Sequence, residues 1–568
     1  MTINRNGRRL LALGSASVLA MTVGTGAWAD ATAPCNVGSG LASTECGVNS
    51  AATGDNATAV GNAATAAGDL SVAVGDNANA AQNQSIAIGS SAFADGNNSV
   101  AVGYDAAATD GAATAVGNFA EATSIQASAF GNSSSAQGAG STAVGHGATS
   151  VGQLSSSFGN GAFAGVSGAT ALGASSVAAG PDATAVGIFA NASAIGAIAV
   201  GRGATAIAVN SSAFGYSALA SAEYALAVGN SALASGSSAS AFGDGANASG
   251  LQSSAFGNSS LATGDFATAL GVNAQATGND SFAGGNGATA SNVDTTAVGA
   301  GSAASFLRDT AIGSDSHAYG GGSTALGAGS EASGQQSLST GYFAAAGGPN
   351  AIALGSFSQS NSTNTIAIGT QATATANTAI AIGNQASALA DFTAAVGDLA
   401  EASGLAASAF GAGAVASGIS STSVGHFSQA TGVFASAFGR SALATGDFST
   451  AIGIDALAST TDAIAAGHAA TATALEAAAF GATASASSSF ALALGSNSTA
   501  SNASATAVGR STVASGLAST ALGLQATALG AARSAPPAAT AAHAWSAAGA
   551  SRRPCVAASM DRRPGRHR

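Results

Sequence analysis

The chain has 568 residues; 79 are Gly, about twice the usual ~7%, while only 7% are charged and 5% aromatic. Its 47% hydrophobic fraction is mostly Ala, which argues against the bulky, layered core of a conventional enzyme. All 14 basic residues are Arg, and residues 30–530 hold four of them against 25 carboxylates, a net of −21; such a surface repels phosphate backbones and excludes nucleic acid as a partner.

Residues 1–29 read as an export signal. Arg5, Arg8 and Arg9 precede an apolar run from Leu10 to Val23, and Ala27-Trp28-Ala29 is a small-x-small site, with cleavage expected between Ala29 and Asp30. The run is too short to span a bilayer. Residues 30–50 form an N-terminal segment in which Cys35 and Cys46 are a candidate small-loop disulfide, since an oxidising compartment follows from export.

Residues 51–530 carry an internal repeat of fourteen. From Gly61 to Gly523, 34 glycines keep register without an insertion or deletion, through Gly75, Gly89, Gly103, Gly369 and Gly383, and Gly47 lies one step earlier. We number each unit from this glycine as position 0. Position −2 is Ala or Ser throughout; position −1 is almost always Val, Ile, Leu or Phe; positions +3 and +5 are mostly Ala or Ser. A coiled coil of two heptads fails because a helix would carry one or two Gly every four turns, each costing ~1 kcal/mol relative to Ala. A flexible linker has no reason to hold phase.

The period fits an all-β, parallel β-roll, a solenoid with two short strands per coil. One strand is expected over −5 to −1 and the other over +2 to +6, with turns at 0/+1 and +7/+8, where the register glycine allows φ > 0. Alternation points −4, −2, +3 and +5 into a narrow interior. Positions −3 and −1 then face outward with large apolar side chains. The other outer face is polar, with Asn77, Asn79, Glu121, Glu331, Gln359, Glu401 and Gln429.

The apolar face behaves as a confined space. Where −1 is Phe, −3 is small, as in Ser128/Phe130, Ser254/Phe256 and Ser436/Phe438; where −1 is not large, −3 compensates, as in Phe282/Gly284 and Ile464/Ala466. Such volume exchange is expected only in packed surroundings. The column containing Val74, Ile88, Val102, Phe130, Phe214, Phe256, Ile368, Ile382 and Phe438 is therefore expected to be buried against identical neighbours.

No catalytic, cofactor or metal constellation stands out. His146, His426 and His468 occupy +1 on separate coils and His317 stands at +4, while Arg202, Arg440 and Arg510 also fall at +1. That turn column is expected to be solvated, and no enzyme activity or cofactor is expected.

The units Ser71-Val72-Ala73-Val74-Gly75 and Ser85-Ile86-Ala87-Ile88-Gly89 resemble the head repeat of trimeric autotransporter adhesins, the YadA-like family. The resemblance covers roughly Ala51 to Gly530. It implies a left-handed roll, a homotrimer packed through the Val/Ile face, and a place on the outer membrane or surface of a Gram-negative bacterium. It also implies attachment to host extracellular matrix, cells or other bacteria. Family members follow the head with a neck, a coiled-coil stalk and a barrel anchor; residues 531–568 show none of these. They hold seven Arg, Pro536-Pro537 and the isolated Cys555, and read as an atypical basic tail, either disordered or out of frame. A protein lacking the anchor would be periplasmic or secreted. A surface fibre without a specific ligand is the second reading. An ice-binding solenoid is the third, suggested by Thr184 and Thr268 at −3 but opposed by the mixed composition of that column.

Overall fold

The computed structural model describes residues 35–531 and the backbone of Ser534–Ala535. The expected export signal with its Ala29/Asp30 cleavage site, and nearly all of the basic tail, lie outside the described residues. Those described fall into two compact units that divide between Asn350 and Ala351. Each is a parallel β-solenoid without helix, wound in coils of fourteen residues around its register glycines, Gly47 to Gly341 in the first and Gly355 to Gly523 in the second.

Every coil has the same plan. A three-residue strand covers −3 to −1, as in Val72–Val74, and a two-residue strand covers +4 and +5, as in Asn79–Ala80. Within each unit the coil strands pair in parallel with their equivalents fourteen residues on: Val72 with Ile86, Ala73 with Ala87, Asn79 with Phe93. The strands are shorter than the sequence suggested, because −5 and +2 belong to the turns. Residues there adopt the left-handed conformation whatever their type, as in Ala63 (φ 53°), Leu70 (φ 59°), Phe119 (φ 56°) and Phe448 (φ 55°). The left-handed region costs a non-Gly residue ~1–2 kcal/mol. The turns offset this by bonding along the stack: the Ala63 amide donates to the Val48 carbonyl and the Leu70 amide to the Asp55 carbonyl, both at 2.7 Å.

The register glycine is required twice over. Gly75 and Gly383 sit at φ 139° and 140°, and a Cβ on either would overlap the carbonyl of the glycine in the next coil, Gly89 or Gly397. Gly111, at +8, has neither constraint: nothing lies within 4 Å of its missing Cβ.

The interior is lined by −4, −2, +3 and +5, as alternation requires. Ala73, Ala78, Ala80 and Ala87 are fully buried, with Ser71 and Ser85 beside them. Serines just after a turn close it with their side chains: Ser85 Oγ donates to the Gln82 carbonyl at 2.6 Å and Ser134 Oγ to the Gly131 carbonyl at 2.9 Å. Asp and Asn at +8 add ladders between coils, with the Asp55 amide donating to Asp69 Oδ1 and the Asp69 amide to Asn83 Oδ1.

The N-terminal end is built differently. Strand β1 (Asn36–Val37) runs antiparallel to β2 (Thr44–Cys46), and β2 then pairs in parallel with Thr58–Val60. Cys35 and Cys46 are joined in a disulfide, with their Cα atoms 4.4 Å apart. Glu45 stands at −2, where other coils have Ala or Ser, and its carboxylate accepts the Ala52 amide at 2.7 Å.

Candidate binding surfaces

The two broad faces differ in chemistry. Outer positions of the three-residue strands form apolar columns. Val74, Val102, Phe214, Ile368 and Ile382 are half-buried, while Ile88, Phe130, Phe256 and Phe438 are exposed, Ile88 by 40%. Neighbouring coils stack these side chains: the Phe242 and Phe256 rings are parallel within 9°, with centroids 4.9 Å apart. The exchange of volume between −3 and −1 has a visible cause. A Cβ on Gly284 would lie 2.8 Å from the ring of Phe282, so the large residue at −3 reaches over the small one at −1.

On the opposite face the outward positions are +4 and +6, as the stacking of His317 and Tyr319 shows. Glu121, Glu331, Gln359 and Gln429 are exposed at +4, and Asn79 and Glu401 are half-buried. Asn77 belongs to the +2 turn and has left-handed geometry (φ 57°). This face is not uniformly polar, since Leu219, Leu233 and Leu261 occupy the same column.

The turn edges carry more aromatic surface than the repeat alone suggested. Phe434 and Phe448 stack at 5.3 Å, Tyr104 and Phe119 meet edge to face at 5.3 Å, and Arg202 lies 5.9 Å from the Tyr216 ring centroid. His146 and His468 lie exposed at turn sites on separate coils, and His426, also exposed, contacts Phe427 with centroids 4.0 Å apart. Among the described residues, no three His, Cys, Asp or Glu side chains are grouped to hold a metal ion.

One feature escaped the sequence reading. Asp309 takes the −4 position, which elsewhere holds small or hydroxyl side chains, and is fully buried. Its Oδ2 accepts the Phe306 amide, and its Oδ1 accepts both the amide and the Oγ–H of Ser323, all at 2.9 Å. Beside it, Arg308 Nε lies 3.6 Å from Asp294 Oδ2, the one ion pair among the described residues. Two residues after His317, Tyr319 stacks on its ring; burial, and secondarily the Glu331 carboxylate, push the Tyr319 phenol above the ordinary tyrosine range. The signals were an acid in a column of Ala, Ser and Thr and the run Gly320-Gly321-Gly322.

Parallel solenoid units, each with an apolar outer face and a mixed one, define a structural repeat protein. The family model described as YadA head domain repeat matches in successive overlapping segments from residue 47 to residue 532, leaving only short gaps such as 149–166 and 471–485. The chain belongs to the YadA head family, a family of adhesin-type repeats rather than of enzymes. No curated protein matches the chain.

Proposed function

We propose that this chain is the head of a trimeric autotransporter adhesin, exported with cleavage after Ala29 and displayed on the surface of a Gram-negative bacterium. Three copies pack around a common axis through the −1 and −3 columns, with Ile368, Ile382, Phe256 and their equivalents facing inward. The +4 face and the turn edges remain outside, free to attach to host matrix, host cells or other bacteria. The observation that carries the reading is the partly exposed apolar column repeated on one face of every coil. Monomeric proteins rarely leave apolar patches larger than a few hundred Å² uncovered, and an Ala interior buries too little area to compensate.

The test is a solid-phase binding assay. The exported full chain, purified and checked for size by sedimentation, is offered to immobilised matrix proteins and to cultured epithelial cells. Saturable binding by a trimer supports the reading. A trimer that binds neither surface would instead be a spacer, and a stable monomer would remove the assembly on which the reading depends.

A further inference from the structure

Departures from the repeat concentrate in three adjacent coils of the first unit. Gly321 is the one +8 residue among those described with positive φ (79°), and it lies in the Gly320-Gly321-Gly322 turn. Beneath that turn is the buried Asp309, and beside it the Arg308–Asp294 pair. Over them opens a recess of about 500 Å³, lined in part by Asn292, Phe306, Arg308, Gln335 and Gln336. In a chain where the same coil recurs so strictly, irregularities gathered at one place call for a local explanation.

We propose that this recess binds a neutral pyranose of a glycan, a proposal that rests on the adhesin reading and names its ligand class. The volume lies within the ~300–1,000 Å³ of small-ligand sites. Phe306, 54% exposed at the wall, offers a flat apolar ring for the C–H face of a sugar. The amides of Gln335 and Gln336 carry donors and an acceptor, and Asn292, whose Oδ1 accepts the Val293 amide, adds donors, which suits hydroxyls that both give and take hydrogen bonds. Arg308 adds a planar donor fork, and Asp294 beside it offsets its charge; their side chains are 73% and 48% exposed. Because that pair is internally neutral, the recess holds no spare positive charge for an acidic sugar, and the surrounding surface is acidic.

Two further details fit a built site. A Cβ on Gly321 would lie 4.0 Å from Phe306 Cβ, and one on Gly322 would lie 3.8 Å from Gln336 Cγ. Side chains there would fill the recess rather than collide with backbone. Asp309 acts as a positioning residue. In another coil Ser99 Oγ accepts the turn amide of Gly96 from the same −4 position. The longer carboxylate of Asp309 does this for Phe306 and also reaches Ser323 in the next coil. It thereby ties the aromatic wall to the glycine turn. A buried carboxylate is tolerated only when so bonded.

The experiment is saturation-transfer NMR on the purified full chain with methyl β-galactoside, methyl β-glucoside and lactose as probes. Wild type is compared with Phe306→Ala, Arg308→Gln, Gly321→Asn (Asn tolerates the left-handed conformation) and Phe448→Ala in the second unit. Loss of one stacking or donor group should weaken binding of a responding sugar about five- to tenfold. Phe448→Ala should leave it unchanged, and circular dichroism should show the same β spectrum throughout. No transfer to any of the three sugars from wild type, or transfer that survives both Phe306→Ala and Gly321→Asn, overturns the proposal. Cell attachment measured on the same variants separates the two readings. Attachment by a wild type that binds no sugar overturns the pocket alone. Sugar binding by a wild type that attaches to nothing supports the pocket and counts against the adhesin.

Discussion

Replacing Ile368 and Ile382 by Asp tests the proposed trimer face most directly. Both are −1 residues on adjacent coils, half-buried in the single chain and paired in register with each other. Fully burying an Ile is worth about 1.5–3 kcal/mol. A −1 side chain that, like Ile88, is 40% exposed in one chain therefore gains about 0.6–1.2 kcal/mol more on assembly. Ile368 and Ile382 are less exposed, so three copies give at most about 2–4 kcal/mol per layer. The double variant forgoes this in two layers and places three carboxylates in each, at an effective cost of several kcal/mol per unpaired ion. The penalty exceeds about 10 kcal/mol, enough to prevent assembly. The matched control is Gln359→Asp with Gln429→Asp. Both Gln side chains are exposed at +4, where Glu121 and Glu331 already place carboxylates, so the effect should stay within about 0.5 kcal/mol. Sedimentation velocity reads the assembly and thermal unfolding reads the stability. Equal tolerance of both pairs, or a wild type that is a well-behaved monomer, would refute the face assignment.

Gly383→Ala should cost several kcal/mol, since it strains a φ of 140° and drives Cβ into the Gly397 carbonyl, whereas Gly111→Ala should be neutral or slightly stabilising; chemical denaturation of the two variants gives the contrast. Phe392→Asn should stabilise the chain by about 1 kcal/mol, because Phe392 is 66% exposed at φ 61° and Asn tolerates that conformation; a lowered denaturation midpoint would mean the ring is held by a partner. In an alkaline ultraviolet titration, Tyr319 should ionise above the ordinary tyrosine range, and that step should vanish in Tyr319→Phe and fall in Glu331→Gln. With the folded pKa raised, the associated stability is complete below the unfolded phenol's pKa near ~10 and is lost as pH rises through the folded value. A late step that persists in Tyr319→Phe would show that it belongs to another group.

The period and the interior were legible because both are imposed by backbone geometry with few residue choices. Only Gly meets the φ and the close approach at Gly75, and only small side chains fit where Ala73 and Ala78 face each other across the narrow space. The left-handed residues at −5 and +2 were hidden for the opposite reason. Their side chains point to solvent, so Ala63, Leu70, Phe119 and Asn77 share the conformation, and its mark, an excess of Gly, Asn, Asp and Ser with no Val or Ile among the described residues, shows only when the whole column is read together. The recess was hidden because its walls are turn residues fourteen and twenty-eight apart, and depth at a turn edge depends on how neighbouring coils fill their space. The acid at 309 was visible in the sequence, but its reach to Ser323 was not.

A solenoid with open ends is a template, since unpaired amides and carbonyls on its first strand could capture the last strand of another molecule and polymerise. Strand β1 removes that opportunity at the amino end. By running against the winding direction, Asn36–Val37 occupies the edge in an orientation no further coil can copy. The chain before Ala52 covers the other sheet too: the Glu45 carboxylate takes the Ala52 amide, and the Gly40 amide donates to the Ala52 carbonyl at 3.2 Å. The bond between Cys35 and Cys46 fastens this lid to the coil it closes. A reductant should therefore act first on solubility, with Cys35→Ser/Cys46→Ser heads joining end to end before any interior coil unwinds.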